Sequence, residues 1–228
     1  MPVTVALISQ KGGVGKSTLA RGLGAVLAHA GLKVRIADLD PQQGTVVRWH
    51  QTRQANLVSP SFDVKGYSSW RDAIGESNDI ELLILDTPGQ ANQVTLAIAA
   101  NAHLIVQPTG GSLDDLYPGV LLFHELVAAG IDRSRLVFAL CKVDTSEEED
   151  ARAYVEHAGY SVLPGSIADQ VGYRQAQNRG RSITETTRAD LNERADALML
   201  ELMTRVATEI RAHQARAKSK ARKSRGTS

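Results

Sequence analysis

Cysteine occurs once in the 228 residues, at Cys141. One thiol cannot close an intramolecular disulfide or supply a cysteine-ligated cluster within one subunit, so a secreted disulfide scaffold is excluded. Long apolar runs are missing as well. Stretches such as Ala97–Ala100 and Leu104–Val106 fall far below the ~20 residues that a spanning helix needs. No secretory signal pattern opens the sequence, and the expectation is a cytoplasmic protein. The six histidines show no metal-ligand spacing, which argues against a zinc site. Acidic residues are absent after Glu209, where Arg211, Arg216, Lys218, Lys220, Arg222, Lys223 and Arg225 follow. The net charge of +1 therefore divides into +7 over 210–228 and −6 over the rest. An acidic body with a basic end suggests a segment drawn to phosphate-rich surfaces. After Ile210 that segment also has no large apolar residue, so it offers no face for membrane insertion.

What is present is the pattern of one α/β domain. Val3–Ile8 is a short run rich in β-branched residues and reads as a buried strand. From Lys16 to Ala30 apolar residues recur at helical spacing and stop at Gly31. Further strands are expected at Lys33–Ala37, Phe62–Lys65, Glu81–Leu85, His103–Gln107, Leu136–Cys141 and Tyr160–Leu163. Helices are expected at Val46–Gln54, Trp70–Ile74, Val94–Ala100, Asp114–Ala129 and Glu147–His157, with a long one from about Arg188 into the tail. Strands alternating with helices imply right-handed crossovers and a mostly parallel twisted sheet covered by helices on both faces, in three layers. The expected division is a nucleotide-binding domain over 1–210 and a basic, flexible tail over 211–228.

Three motifs directly follow expected strands: QKGGVGKST (10–18), DLDP (38–41) and DTPG (86–89). Ligands of parallel sheets gather at the carboxyl ends of the strands. Gly12, Gly13 and Gly15 let successive backbone N–H groups turn toward one anion, and the helix that follows adds its dipole. In such a loop Lys16 reaches the β- and γ-phosphates, Ser17 ligates Mg²⁺ and Thr18 donates to the α-phosphate. The usual spacing G-x-x-x-x-G-K-[ST] requires glycine where Gln10 stands. Lys11 is an additional lysine, too early in the loop to serve the same oxygens as Lys16 from the same subunit. Asp38 and Asp40 flank the site, either as functional acids or as caps before Pro41.

The segments K-G-G-V-G-K-S-T (11–18), D-L-D-P-Q (38–42) and L-I-L-D-T-P-G (83–89) together resemble the deviant Walker A, switch I and Walker B of the ParA/MinD family of P-loop ATPases. The resemblance in strand and helix order extends over most of residues 3–210. It implies ATP and Mg²⁺ as ligands, with Gly12, Gly13, Val14, Gly15, Lys16, Ser17 and Thr18 cradling the phosphates. It implies that Lys11 reaches the ATP of a partner subunit, so that the chain forms a homodimer when ATP is bound. By the same resemblance Asp40 orients the attacking water, Asp38 lies near the metal's water shell and Asp86 holds Mg²⁺ through water. Lys142 and the stretch Pro164–Ile167 would flank the adenine.

Within that family the lack of cluster cysteines and of an apolar terminal helix leaves a resemblance to the small ParA type. Its implications are non-specific DNA binding by the ATP dimer, hydrolysis stimulated by a ParB-like or other partner protein, and a nucleoid-associated protein that partitions or positions a plasmid, chromosome or protein cargo. Candidate phosphate contacts are Arg174, Arg179 and Arg181 in YRQAQNRGR (173–181), with Arg216, Lys218, Lys220, Arg222 and Lys223 of the tail. The alternatives are a P-loop ligase or synthase acting on a small molecule, and a MinD-like regulator at a membrane surface.

Overall fold

The structure is a computed structural model and describes residues 2–89 and 93–225. In chain order the elements are β1 (Val3–Leu7), α1 (Lys16–His29), β2 (Val34–Asp38), α2 (Thr45–Ala55), β3 (Asp63–Gly66), α3 (Trp70–Gly75), β4 (Leu82–Asp86), α4 (Gln93–Asn101), β5 (Leu104–Thr109), α5 (Leu113–Ala128), β6 (Leu136–Cys141), α6 (Glu148–His157), β7 (Ser161–Ile167), α7 (Val171–Gln177) and α8 (Ala189–Arg225). The strands form one sheet in the order β3-β2-β4-β1-β5-β6-β7, and every neighbouring pair is parallel. The expected class, a mostly parallel sheet between two helical layers, is what forms.

The continuous apolar strands are explained by burial on both faces. Val3, Val5 and Leu7 of β1, with Leu82 and Ile84 of β4, pack under α1, α2 and α8, where Leu23, Trp49 and Leu202 meet them. The alternate residues Ala6, Leu83, Leu85 and Ile105 face α4, α5 and α6, meeting Ile98, Phe123 and Val155. Burying each such aliphatic side chain contributes about 1.5–3 kcal/mol, which favours the apolar residues that dominate the central strands. β1 is the middle of the sheet, so the loop after it stands at the centre of the carboxyl edge.

Two elements differ from expectation. The last strand does not stop at Leu163 but continues through Pro164 to Ile167. It lies at the sheet edge, where proline's missing N–H costs no ladder bond, and Gly165 at φ 79 accommodates the irregular pairing beside Phe138 and Leu140. The short helix α7 was not expected at all. The long helix expected from about Arg188 into the tail is α8, which runs on as far as Arg225. Among the described residues no helix is long and apolar enough to cross a membrane.

Candidate nucleotide site

A cleft of about 490 Å³ opens at the carboxyl edge of the sheet. Gly12, Gly13, Gly15, Lys16, Ser17 and Thr18 form its floor, Asp38, Asp40 and Asp86 one wall, and Lys142 with residues 167–170 and α7 the other. The loop turns because Gly13 and Gly15 adopt φ values of 76° and 115°. At Gly15 a Cβ would also stand 3.1 Å from the Cβ of Cys141, so the loop rests directly on the end of β6. Val14 turns inward and is buried, away from the cleft. Six of the seven residues expected at the phosphates thus line the cleft, Val14 does not, and α1 starts with the loop's own Lys16.

Lys16 is nearly buried, and its ammonium donates to the carbonyl of Lys11 at 3.1 Å. Burial lowers its pKa, with Asp86 and Asp40 pulling the other way. Ser17 Oγ donates to Asp86 Oδ2 at 2.7 Å. Burial pushes the Asp86 carboxyl up to about 7, against the Ser17 bond, while the neighbouring Asp38 raises it further. Its other oxygen, Oδ1, is buried and has no hydrogen-bond partner among the described residues. A carboxylate with one orphaned oxygen beside a serine hydroxyl fits a divalent cation that keeps most of its waters and takes few protein ligands. Ser17 and Asp86 are the residues that would hold Mg²⁺ here.

Asp38 is engaged differently. Its Oδ1 accepts from the Asp40 amide at 3.1 Å, and Oδ2 accepts from the amides of Val46 and Val47 at 2.9 and 3.2 Å. These are first-turn donors of α2, so Asp38 caps that helix from the end of β2. Asp40 accepts from the Gln43 amide at 3.1 Å and lines the cleft.

Sequence reasoning missed two residues of the cleft. Arg21 is buried, and its guanidinium donates to Gln177 Oε1 at 2.7 Å and to the Thr45 carbonyl at 2.9 Å. Burial brings its pKa down to about 10 despite nearby Asp86 and Asp38. Gln177, the last residue of α7, also accepts from Thr18 Oγ1 at 3.4 Å. The available signal was a lone arginine inside the apolar run LARGLGAVL.

On the opposite wall Lys142 takes φ 60 just after β6 and lines the cleft, as expected. Pro164 does not: it sits within β7, exposed, and the wall begins three residues later at Ile167 because the strand runs on. Arg174 lies near this wall. It stands on α7 at the cleft rim, ion-paired with Asp169, rather than beside Arg179 and Arg181. Those two are exposed beyond the end of α7. The side chains of Arg216, Lys218, Lys220, Arg222 and Lys223 lie outside the described residues.

Lys11 points away from its own cleft. Its ammonium meets Asp115 Oδ1, in the first turn of α5, at 2.7 Å, and the side chain stays 45% exposed. This acidic partner, 104 positions away, has no local signature around Lys11.

A glycine loop between the central strand and its helix, with a lysine, a serine and a buried strand-end aspartate converging on one cleft, defines a P-loop nucleotide-binding protein. The chain belongs to the family described as the CobQ/CobB/MinD/ParA nucleotide binding domain, which matches residues 5–221. It is 29% identical over 190 residues to the maintenance of carboxysome distribution protein A of Gloeobacter kilaueensis, covering 81% of this chain and 85% of that one. It is also 29% identical over 216 residues to the chromosome-partitioning ATPase Soj of Thermus thermophilus, covering 79% and 87%. Among solved structures it is similar in fold to the septum site-determining protein MinD of Pyrococcus horikoshii complexed with Mg-ADP. The TM-score is 0.70 at 14% identity, over 92% of this chain and 99% of that one.

Proposed function

We propose that the chain is an ATP-driven positioning switch: it dimerises on ATP, binds DNA without sequence preference, and leaves DNA when a partner protein stimulates hydrolysis. The observation that carries this reading is Lys11. A second loop lysine whose ammonium lies outside its own cleft, half exposed, is available to a neighbouring subunit and redundant within its own. An ammonium that meets a partner's phosphates makes ATP binding and dimerisation linked equilibria.

Within each cleft Lys16 and the loop amides bind the phosphates, and Asp40 stands where it can orient a water. Mg²⁺ held by Ser17 and Asp86 supplies charge neutralisation for the outer phosphates. The Gloeobacter and Thermus relatives, named for carboxysome distribution and chromosome partitioning, support movement of a cargo over DNA as the use of this cycle. DNA retention in ATP and in ADP, at rising salt, tests the reading. The expected result is binding in ATP alone that falls steeply with salt, and equal retention in both nucleotides would overturn it.

A further inference from the structure

Two arginines are buried among the described residues, Arg21 and Arg53, and they are served in opposite ways. Arg53, on α2, is bidentate to the Glu185 carboxylate at 2.7 and 2.9 Å, so its charge is matched inside the protein. Arg21, on α1 and in the wall of the cleft, makes its contacts with neutral groups. Its guanidinium donates to Gln177 Oε1 at 2.7 Å and to the Thr45 carbonyl at 2.9 Å, and lies 5.5 Å from the centre of the Trp49 ring. Its Nε is buried and has no hydrogen-bond partner among the described residues.

The carboxylates that act on Arg21 are Asp86 and Asp38, and neither forms an ion pair with it. Both are engaged elsewhere, Asp86 by Ser17 and Asp38 by the amides of Asp40, Val46 and Val47. Burial leaves the guanidinium at about 10, still protonated at neutral pH. A desolvated cation without an adjacent anion is costly to a fold. Its position in a cleft built for phosphates fits a role in which the ligand completes the pair.

Gln177 marks where that ligand would be met. Its Oε1 also accepts from Thr18 Oγ1 at 3.4 Å, so two donors one turn apart on α1 converge on a single side-chain oxygen. Thr18 is the loop residue expected at the α-phosphate. A phosphate oxygen would offer the same two donors a negative charge, and charge-assisted bonds are roughly twice as strong as neutral ones.

We propose that Arg21 is a nucleotide-binding residue, the buried counter-charge of the α-phosphate, and that Gln177 holds its guanidinium and the Thr18 hydroxyl until the phosphate takes them over. The inference rests on the nucleotide site and is independent of dimerisation and DNA binding.

Calorimetric titration of the full chain with Mg-ADP and Mg-ATP, together with thermal denaturation without nucleotide, tests it. Arg21→Met keeps the side chain's length and removes its charge. It should weaken ADP and ATP equally, by about tenfold or more, the size of one lost bond to a charged group. Arg21→Lys keeps a charge with fewer fixed donors and should lose only about threefold. Gln177→Glu gives Arg21 an internal carboxylate. It should raise the melting temperature of the nucleotide-free protein by roughly 2–4 °C and weaken both nucleotides at least about fivefold, and the rise should vanish when Arg21→Met is added.

Unchanged ADP affinity in Gln177→Glu, or in a folded Arg21→Met, overturns the proposal. Equal losses in Arg21→Met and Arg21→Lys would assign the effect to shape rather than charge and overturn it too. A loss confined to ATP places the contact at the outer phosphates and overturns the α-phosphate assignment. A natural chain that binds neither nucleotide overturns the nucleotide site itself, whereas binding left unaltered by every variant overturns this inference alone.

Discussion

Lys11 and Lys16 stand five residues apart in one loop and meet opposite surroundings. Lys16 is buried with its ammonium over the loop, whereas Lys11 is tethered to Asp115 at the surface. Such an exposed pair contributes at most about 1 kcal/mol to folding, so it holds Lys11 in place without committing it. Gly15 is the residue on which the loop's shape depends most directly. Gly15→Ala meets both an unfavourable φ and the side of Cys141, a strain of about 1–3 kcal/mol. The expected outcome is a melting temperature lower by roughly 2–10 °C and a nucleotide affinity reduced at least about tenfold, read by thermal denaturation and a fluorescent-nucleotide titration. Unchanged affinity would show that the amides do not form the phosphate cradle. These loop residues were legible in the sequence because glycine, lysine and serine act there through backbone freedom and charge, which spacing reveals. Arg21, Gln177 and Asp115 were not, since their partners lie 24 to 159 positions away and only folding brings them together.

At the scale of elements α2 is the informative case. Its sequence has little apolar character, and its buried residues are Val46, Trp49, His50 and Arg53. Sequence patterning placed the helix nearly correctly but could not say why it is ordered. Its order comes from Asp38 at one end and the Arg53–Glu185 pair at the other, both long-range. Asp38→Ala removes the cap on two amides and should cost about 1–2 kcal/mol in a denaturant titration, besides any effect on hydrolysis. Truncating one partner of the buried pair, as in Arg53→Met, should cost about 3–5 kcal/mol.

Glu185 also gives this element a pH signature. Burial raises its pKa, but the bonds from Arg53 and Ser182 prevail and hold it below the ordinary 4.5. A depressed carboxylate contributes stability that is present above its unfolded pKa and lost as pH falls through the folded value. Denaturant midpoints between pH 6 and pH 3 should therefore fall more steeply for the natural chain than for Glu185→Gln. Parallel curves would mean the pair is not intact in solution. The stretch after β6 shows the limit of local reasoning from the other side. Pro164-Gly165 reads as a loop by composition, yet an edge position lets the strand pass through it, which shifts the cleft wall to Ile167–Gln170.

For the molecule as a whole, parallel pairing and layering followed from alternating patterns and from the requirement that motifs gather at one sheet edge, whereas the strand order came from the structure. The parallel sheet and the family membership agree with that reading. The asymmetry of charge, with a basic C-terminal extension on an acidic body, is a property of the whole sequence rather than of any one element. The central claim is that Lys11 acts across a two-fold interface. Sedimentation velocity of the chain and of Lys11→Ala, each in Mg-ATP and in Mg-ADP, tests it most directly. The account predicts a dimer for the natural chain in ATP alone, and a monomer for Lys11→Ala in both nucleotides although it still binds ATP. A natural chain that stays monomeric in ATP, or a Lys11→Ala variant that dimerises equally well, would contradict it.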